Sequence, residues 1–137
     1  SNSSVALVHG MSRPIGAYFH IHHGLSNAVL LLDVMEFSAV ASPARFAHIA
    51  KAMGEPIEGL SPMRQADRAI AAVERLINDI QMPRLGEIGI DRGKFEAVVE
   101  QMASDAIASG SPANNPRQAT HGEIVALYRK CFAERKT

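Results

Sequence analysis

The sequence is poor in the residues that build disulfides, membrane spans and aromatic-rich sheets. Its 137 residues include no tryptophan and one cysteine, and aromatic residues make up 5% of the chain. Because Cys131 has no second cysteine to pair with, no internal disulfide can form, and a reducing, cytoplasmic location is expected. The longest apolar runs, among them residues 28–32, are far shorter than the roughly 20 residues that cross a bilayer. With no basic stretch and apolar core at its start, the chain is predicted to have neither a transmembrane helix nor a signal peptide.

An excess of charge of either sign is also absent. Fourteen Lys and Arg residues balance fourteen Asp and Glu residues, so the formal net charge is +0. Without a positive field, the chain is not expected to bind a nucleic-acid backbone or an anionic membrane surface. Hydrophobic residues make up 47% of the chain, which suffices at this length for one buried core. A single domain over residues 1–137 is therefore predicted.

The apolar residues recur at helical spacing, and no sustained alternation of apolar and polar residues predicts a strand. The clearest stripe comprises Met63, Ala66, Ile70, Val73, Ile77 and Ile80. Ser61 and Pro62 precede this stripe as an N-cap and a first helical residue. Similar start signals stand at Ser42–Pro43, at Asp91, and at Thr120 with Glu123. The prediction is an all-α bundle of five to seven helices.

Residues 28–37 are apolar nearly all round, which predicts a central helix enclosed by the others. Ahead of it, residues 4–11 have a helical pattern that Pro14 and Gly16 are expected to interrupt, followed by a polar loop to Gly24. This first helix is short, so we expect the chain to begin inside a helix whose start lies upstream. Cys131 and the six methionines are predicted to fill the core, and the composition of residues 110–116 predicts a rigid turn.

Four of the six histidines lie within fifteen residues, namely His9, His20, His22 and His23. Imidazole is a common ligand of zinc, iron and nickel, so this crowding indicates a metal site, although surface histidines are also common. Asp33 follows on the central helix and is expected to lie too far away to complete the ligand shell. No HExxH, CxxC or glycine-rich phosphate loop accompanies the histidines.

Two segments carry a resemblance to a known family. Residues 9–24 (HGMSRPIGAYFHIHHG), with the apolar helix that follows, look like the second signature region of the iron-containing (group III) alcohol dehydrogenases. Residues 115–128 (NPRQATHGEIVALY) are similar to the Asn-Pro-Arg-x-x-Thr segment and last helix of the same enzymes. The resemblance implies the all-helical, dehydroquinate synthase-like C-terminal domain of an enzyme whose N-terminal domain binds a nicotinamide dinucleotide.

The resemblance also implies roles for individual residues. In the family three His and one Asp hold the divalent metal, and two of these ligands match His9 and His23; the other two would lie upstream of this chain. Arg13 stands where the family usually has a second histidine, and it implies contact with the cofactor or with an anionic group. His22 replaces the proline before the ligand histidine, and we interpret His20 and His22 as nonligands. The resemblance further places the turn over residues 110–116 near the domain cleft, which makes it a candidate for substrate contact.

The implied activity is that of an NAD- or NADP-linked alcohol dehydrogenase or an aldehyde or maleylacetate-type reductase. The expected metal is Fe²⁺ or alternatively Zn²⁺, the substrate a small alcohol or aldehyde, and the assembly a homo-oligomer. With two of four ligands, the chain alone is expected to be inactive and to hold metal weakly. The alternatives are a stand-alone helical metal-binding module and a structural oligomerisation module without catalysis.

Overall fold

The computed structural model describes residues 6–110, 113, 115 and 117–133. Within them lie six α-helices and no strand, so the all-α prediction is confirmed. The helices are α1 (Ala6–Phe19), α2 (His23–Ala39), α3 (Pro43–Ala52), α4 (Pro62–Asp79), α5 (Arg92–Ala108) and α6 (His121–Phe132), with a 3-10 turn at Leu85–Glu87 between α4 and α5. No helix in this part of the chain is long and apolar enough to cross a membrane.

The helix starts follow from local hydrogen bonds. Ser61 Oγ accepts from the Arg64 N–H at 3.3 Å, and Asp91 Oδ2 accepts from the Lys94 N–H at 3.0 Å. Thr120 begins α6 with a complete capping box. These caps satisfy N–H groups that have no partner within the first helical turn. Ser42 differs from its prediction, because it precedes α3 without a side-chain cap.

Helix α2 is central, as its apolar circumference predicts. Val29, Leu30 and Val34 join a core with α1, α5 and α6. Leu32 and Met35 join a second core with α3 and α4. One helix therefore supports both halves of the bundle, which explains why its apolar residues are not confined to one stripe.

The expected interruption at Pro14 and Gly16 is wrong. Helix α1 continues to Phe19 with Pro14 inside it. Proline lacks an N–H and costs the helix one hydrogen bond. The buried face that includes Met11, Pro14 and Ile15 offsets that cost through packing. The loop to α2 is therefore three residues long, and the longer polar loop to Gly24 that was predicted does not form.

The prediction that all six methionines are core residues is also wrong. Met11, Met35 and Met102 are buried, but Met53 and Met63 are 40% and 42% exposed. Both lie at the ends of helices, where fewer neighbours cover a side chain. At the far end of α4, Ile80 is likewise 58% exposed. Cys131, by contrast, is fully buried in the core, as predicted.

Candidate metal site

A three-residue loop brings the start of α2 back along α1. His20 reverses the chain with a φ of 57°, and its N–H donates to the Gly16 carbonyl at 2.9 Å. A Cβ on Gly16 would lie 3.4 Å from the Ile21 carbonyl oxygen, so the loop packs directly on the helix. His22 then starts α2, because its Nδ1 accepts from the Gly24 N–H at 3.1 Å. The ring of His22 is thus engaged in capping.

This arrangement places His9 and His23 side by side. Their ring centroids are 5.5 Å apart, and the planes meet edge to face at 85°. Two imidazoles bound to one tetrahedral ion through bonds of about 2.1 Å have ring centres about 5 Å apart. Both side chains are exposed. The pair fits a shared divalent ion in donor type and in spacing.

The described residues supply no complete ligand shell. Across residues 6–110, 113, 115 and 117–133, no three His, Cys, Asp or Glu side chains gather closely enough to hold a metal. Asp33 is buried, and its Oδ2 lies 3.1 Å from Arg84 Nη1. Its carboxylate is committed to this ion pair, and Lys130 Nζ lies 3.7 Å from its Oδ1.

Arg13 lies one helical turn after His9 on α1, and its side chain is exposed. Its guanidinium forms no hydrogen bond or ion pair with any residue that the structure describes. It lines an open cleft of about 490 Å³ between α1 and the end of α5, together with Gly10, Ala17 and Asp105. The cleft therefore contains one uncommitted positive charge one turn away from the histidine pair.

The opposite wall of this cleft is fixed by a hydrogen bond between α1 and α5. The Tyr18 hydroxyl donates to Asp105 Oδ2 at 3.2 Å, and Gln101 Nε2 donates to Asp105 Oδ1 at 2.9 Å. Partial burial raises the pKa of Tyr18, and the neighbouring Asp105 carboxylate raises it further. The Tyr18 hydroxyl therefore stays a hydrogen-bond donor at neutral pH.

Asn115 connects the ends of the two helices that carry the histidines. Its Oδ1 accepts from the Leu7 N–H at 3.4 Å, in the first turn of α1. Its Nδ2 donates to Ser38 Oγ at 2.9 Å, near the end of α2, and to the Arg117 carbonyl at 2.8 Å. Asn115 is 4% exposed, so within the candidate substrate-contact turn this residue has a structural role. Residues 111, 112, 114 and 116 of that turn lie outside the described residues.

Asn27 is a site residue that sequence reasoning missed. It lies one turn after His23 on α2, and its Nδ2 is 3.2 Å from His23 Nε2. The signal was the spacing of four residues, which places two side chains on the same helical face. Asn115 was identified in the Asn-Pro-Arg motif, but its connecting role was missed, because the residues it joins are 77 and 108 positions away.

Comparison with known proteins agrees with the helical fold and with the motifs. The sequence model "Fe-containing alcohol dehydrogenase family, C-terminal" matches residues 1–132. The chain is 38% identical over 133 residues to 1,3-propanediol dehydrogenase of Klebsiella pneumoniae, covering 96% of this chain and 33% of that protein. It is 34% identical over 133 residues to NAD-dependent methanol dehydrogenase of Bacillus methanolicus, covering 96% and 34%.

The fold matches that of a solved relative. The crystal structure of a 1,3-propanediol oxidoreductase superposes with a TM-score of 0.84 at 39% identity, over 92% of this chain and 32% of that one. The chain spans about one third of the length of the curated relatives it matches. On the sequence match over residues 1–132 and on this shared fold, the chain belongs to the Fe-containing alcohol dehydrogenase family and corresponds to its C-terminal domain.

Proposed function

We propose that this chain is the metal-ligating helical domain of an NAD(P)-linked alcohol dehydrogenase or aldehyde reductase, with His9 and His23 as two of the metal ligands. The observation that carries the proposal is the 5.5 Å separation of the two rings, close to the spacing of two imidazoles on one ion. Membership of a family of metal-dependent dehydrogenases supports it. The remaining ligands would come from residues outside those described.

Membership of the Fe-containing family favours Fe²⁺, and Zn²⁺ is the second candidate because both ions accept imidazole nitrogen. When bound, such an ion would polarise the hydroxyl or carbonyl oxygen of a small alcohol or aldehyde, and a nicotinamide cofactor would exchange the hydride. The contribution of this chain is to hold two neutral imidazoles on one side of that oxygen. Asn115 supports this by fixing the first turn of α1, which carries His9.

Arg13 is proposed to bind an anionic group of the cofactor or of the substrate. Its guanidinium has no partner among the described residues and lies one turn from His9. Arginine keeps its charge at any ordinary pH, so Arg13 can orient a phosphate or carboxylate but cannot relay a proton. A substrate that carries a carboxylate is therefore compatible with the site.

A cytoplasmic homo-oligomer completes the proposal. Leu76 and Ile80 are 50% and 58% exposed, four residues apart at the end of α4, and such apolar neighbours favour contact with another surface. The buried, unpaired thiol of Cys131 suits a reducing compartment.

The test uses the whole reading frame that encodes this chain, expressed with any segment upstream of Ser1. We expect the protein to hold Fe²⁺ or Zn²⁺ and to oxidise small alcohols with NAD⁺ or NADP⁺. His9→Ala and His23→Ala should each remove most of the metal, because each deletes one ligand. His48→Ala, an exposed histidine on α3, is the matched control and should retain the metal.

Arg13→Gln provides a second arm of the same test. It should raise KM for the cofactor or for acid-bearing substrates while the metal content stays unchanged. Full metal content in both histidine variants would refute the ligand assignment. A reading frame that starts near Ser1 and encodes an inactive protein would refute the enzyme proposal in favour of a stand-alone module.

A further inference from the structure

Tyr128 connects the last helix to the interior of the first. Its side chain is fully buried, and its hydroxyl donates to the Met11 carbonyl at 2.6 Å. A backbone carbonyl can only accept a hydrogen bond, so the direction of this bond is unambiguous. Burial raises the pKa of Tyr128, and the hydroxyl therefore keeps its proton at neutral pH. The bond is a permanent attachment of α1 to α6.

This bond lies at the turn where α1 accommodates a proline. Pro14 has no N–H, so the Gly10 carbonyl receives no hydrogen bond from position 14, and the proline ring crowds that carbonyl. A proline inside a helix therefore bends the turn that precedes it. Met11 belongs to this turn, and the Tyr128 hydroxyl gives its carbonyl a donor from the core. The hydroxyl thus holds the bent turn against α6.

The two histidines lie on opposite sides of the bent turn. His9 precedes it, whereas His23 follows it through the end of α1 and the loop to α2. That loop packs on Gly16, where a Cβ would lie 3.4 Å from the Ile21 carbonyl oxygen. The position of His23 therefore depends on the direction that α1 takes after the proline. The 5.5 Å between the two ring centroids depends on the same bend.

The part of α1 after the proline is attached to a different helix. The Tyr18 hydroxyl donates to Asp105 Oδ2 of α5 at 3.2 Å. Helix α6 therefore holds the turn that contains Met11, and α5 holds the end of the helix. With one part attached to each neighbour, the loss of either hydrogen bond changes the angle between the two parts.

We propose that Tyr128 is a positioning residue that holds the bent turn of α1 so that His9 and His23 face one metal ion. The inference rests on the proposed function for the identity of the ligands, whereas the hydrogen bond itself involves no ligand side chain. Two imidazoles on one ion each need a nitrogen at about 2.1 Å from it. A small change in the bend therefore takes one ligand out of reach, and Tyr128 acts on the site through the backbone of α1.

The experiment uses the protein encoded by the whole reading frame, stripped of metal and titrated with Zn²⁺. Tyr128→Phe removes the hydroxyl and keeps the ring. We expect its Zn²⁺ affinity to fall about tenfold, at the lower end of the effect of groups that orient metal ligands. Ile124→Val is the matched control, because it shortens another fully buried residue of α6. It should lower stability in urea by a similar amount and keep the wild-type Zn²⁺ affinity.

Pro14→Ala separates positioning from stability. Alanine restores the N–H at position 14 and allows α1 to straighten. Zn²⁺ binding should weaken even though the helix gains a hydrogen bond. In the Pro14→Ala background, Tyr128→Phe should lower the Zn²⁺ affinity by less than it does alone, because the bent turn is already lost. Wild-type Zn²⁺ affinity in Pro14→Ala would contradict the role of the bend.

Crystal structures of the metal-stripped wild type and of Tyr128→Phe give a measurement that needs no metal. We expect the distance between the His9 and His23 ring centroids to increase beyond 5.5 Å in the variant. An unchanged distance would overturn the inference, as would wild-type Zn²⁺ affinity in Tyr128→Phe or an equal loss of affinity in Ile124→Val. If the rings move apart but His9→Ala and His23→Ala retain the metal, the ligand assignment fails and the effect of Tyr128 on the bend stands.

Discussion

Replacing Asn115 by alanine tests whether the segment before α6 holds the first turn of α1 in place. The wild-type side chain bonds the Leu7 N–H, Ser38 Oγ and the Arg117 carbonyl. Alanine removes all three bonds at once. Leu7 and Ser38 are both fully buried, so water cannot replace the lost partner without opening the bundle.

The expected loss of stability follows from these contacts. Two of the bonds are short, at 2.8 and 2.9 Å, and a bond of this kind contributes about 1 kcal/mol net. The bond to the Leu7 N–H is longer, at 3.4 Å, but the donor stays buried after the substitution, which costs about 1 to 3 kcal/mol. Asn115→Ala should therefore lower the free energy of unfolding by about 3 to 5 kcal/mol.

Urea unfolding followed by circular dichroism measures this change. Ser38→Ala, which removes one of the bonds, should cost about 1 kcal/mol, and the double variant should cost less than the sum of the two. A loss below about 0.5 kcal/mol in Asn115→Ala, a value typical of surface substitutions, would refute the account. Fully additive losses would show that Asn115 and Ser38 do not interact.

Two further predictions concern the buried end of α6. Asp33→Ala leaves the Arg84 guanidinium without its carboxylate in a site where the Arg84 side chain is 10% exposed. We expect the free energy of unfolding, measured in urea, to fall by about 3 to 5 kcal/mol. The double variant Asp33→Leu with Arg84→Met should recover part of that loss. Burial raises the pKa of the Cys131 thiol, and the neighbouring Asp33 raises it further, so a thiol reagent at about pH 8 should label Cys131 only after unfolding. Rapid labelling of the native chain would contradict its place in the core.

The helix starts could be predicted because their causes are local. Ser61, Asp91 and Thr120 each satisfy a backbone N–H three residues ahead, and the sequence within that span contains the whole interaction. The central position of α2 could be predicted for a similar reason, since a helix without a polar face must be enclosed. Exposure at the helix ends could not, because Met63 and Ile80 continue an apolar stripe beyond the point where neighbouring helices cover it.

The candidate site likewise has one part that could be predicted from the sequence and another part that could not. The resemblance to the family directed attention to His9 and His23, but their approach depends on a short loop that requires α1 to continue through Pro14. A helix that ended at Pro14 would have left residues 15–22 as a longer loop with no fixed return to α1. Helix α1 continues through Pro14 because the packing of Met11 and Ile15 outweighs the loss of one backbone hydrogen bond. This comparison requires the tertiary structure.

Asn27 and Asn115 show how distance along the chain limits prediction. Asn27 acts on a residue four positions away, so its contact with His23 follows from helical geometry once α2 is known to begin at His23. Asn115 acts on residues far away in sequence, and no local pattern identifies its partners. Both are asparagines, and only their three-dimensional neighbours distinguish a contact within one helix from a connection between two helices. The proposed site thus depends on one residue that could be inferred from spacing and on another that required the assembled bundle.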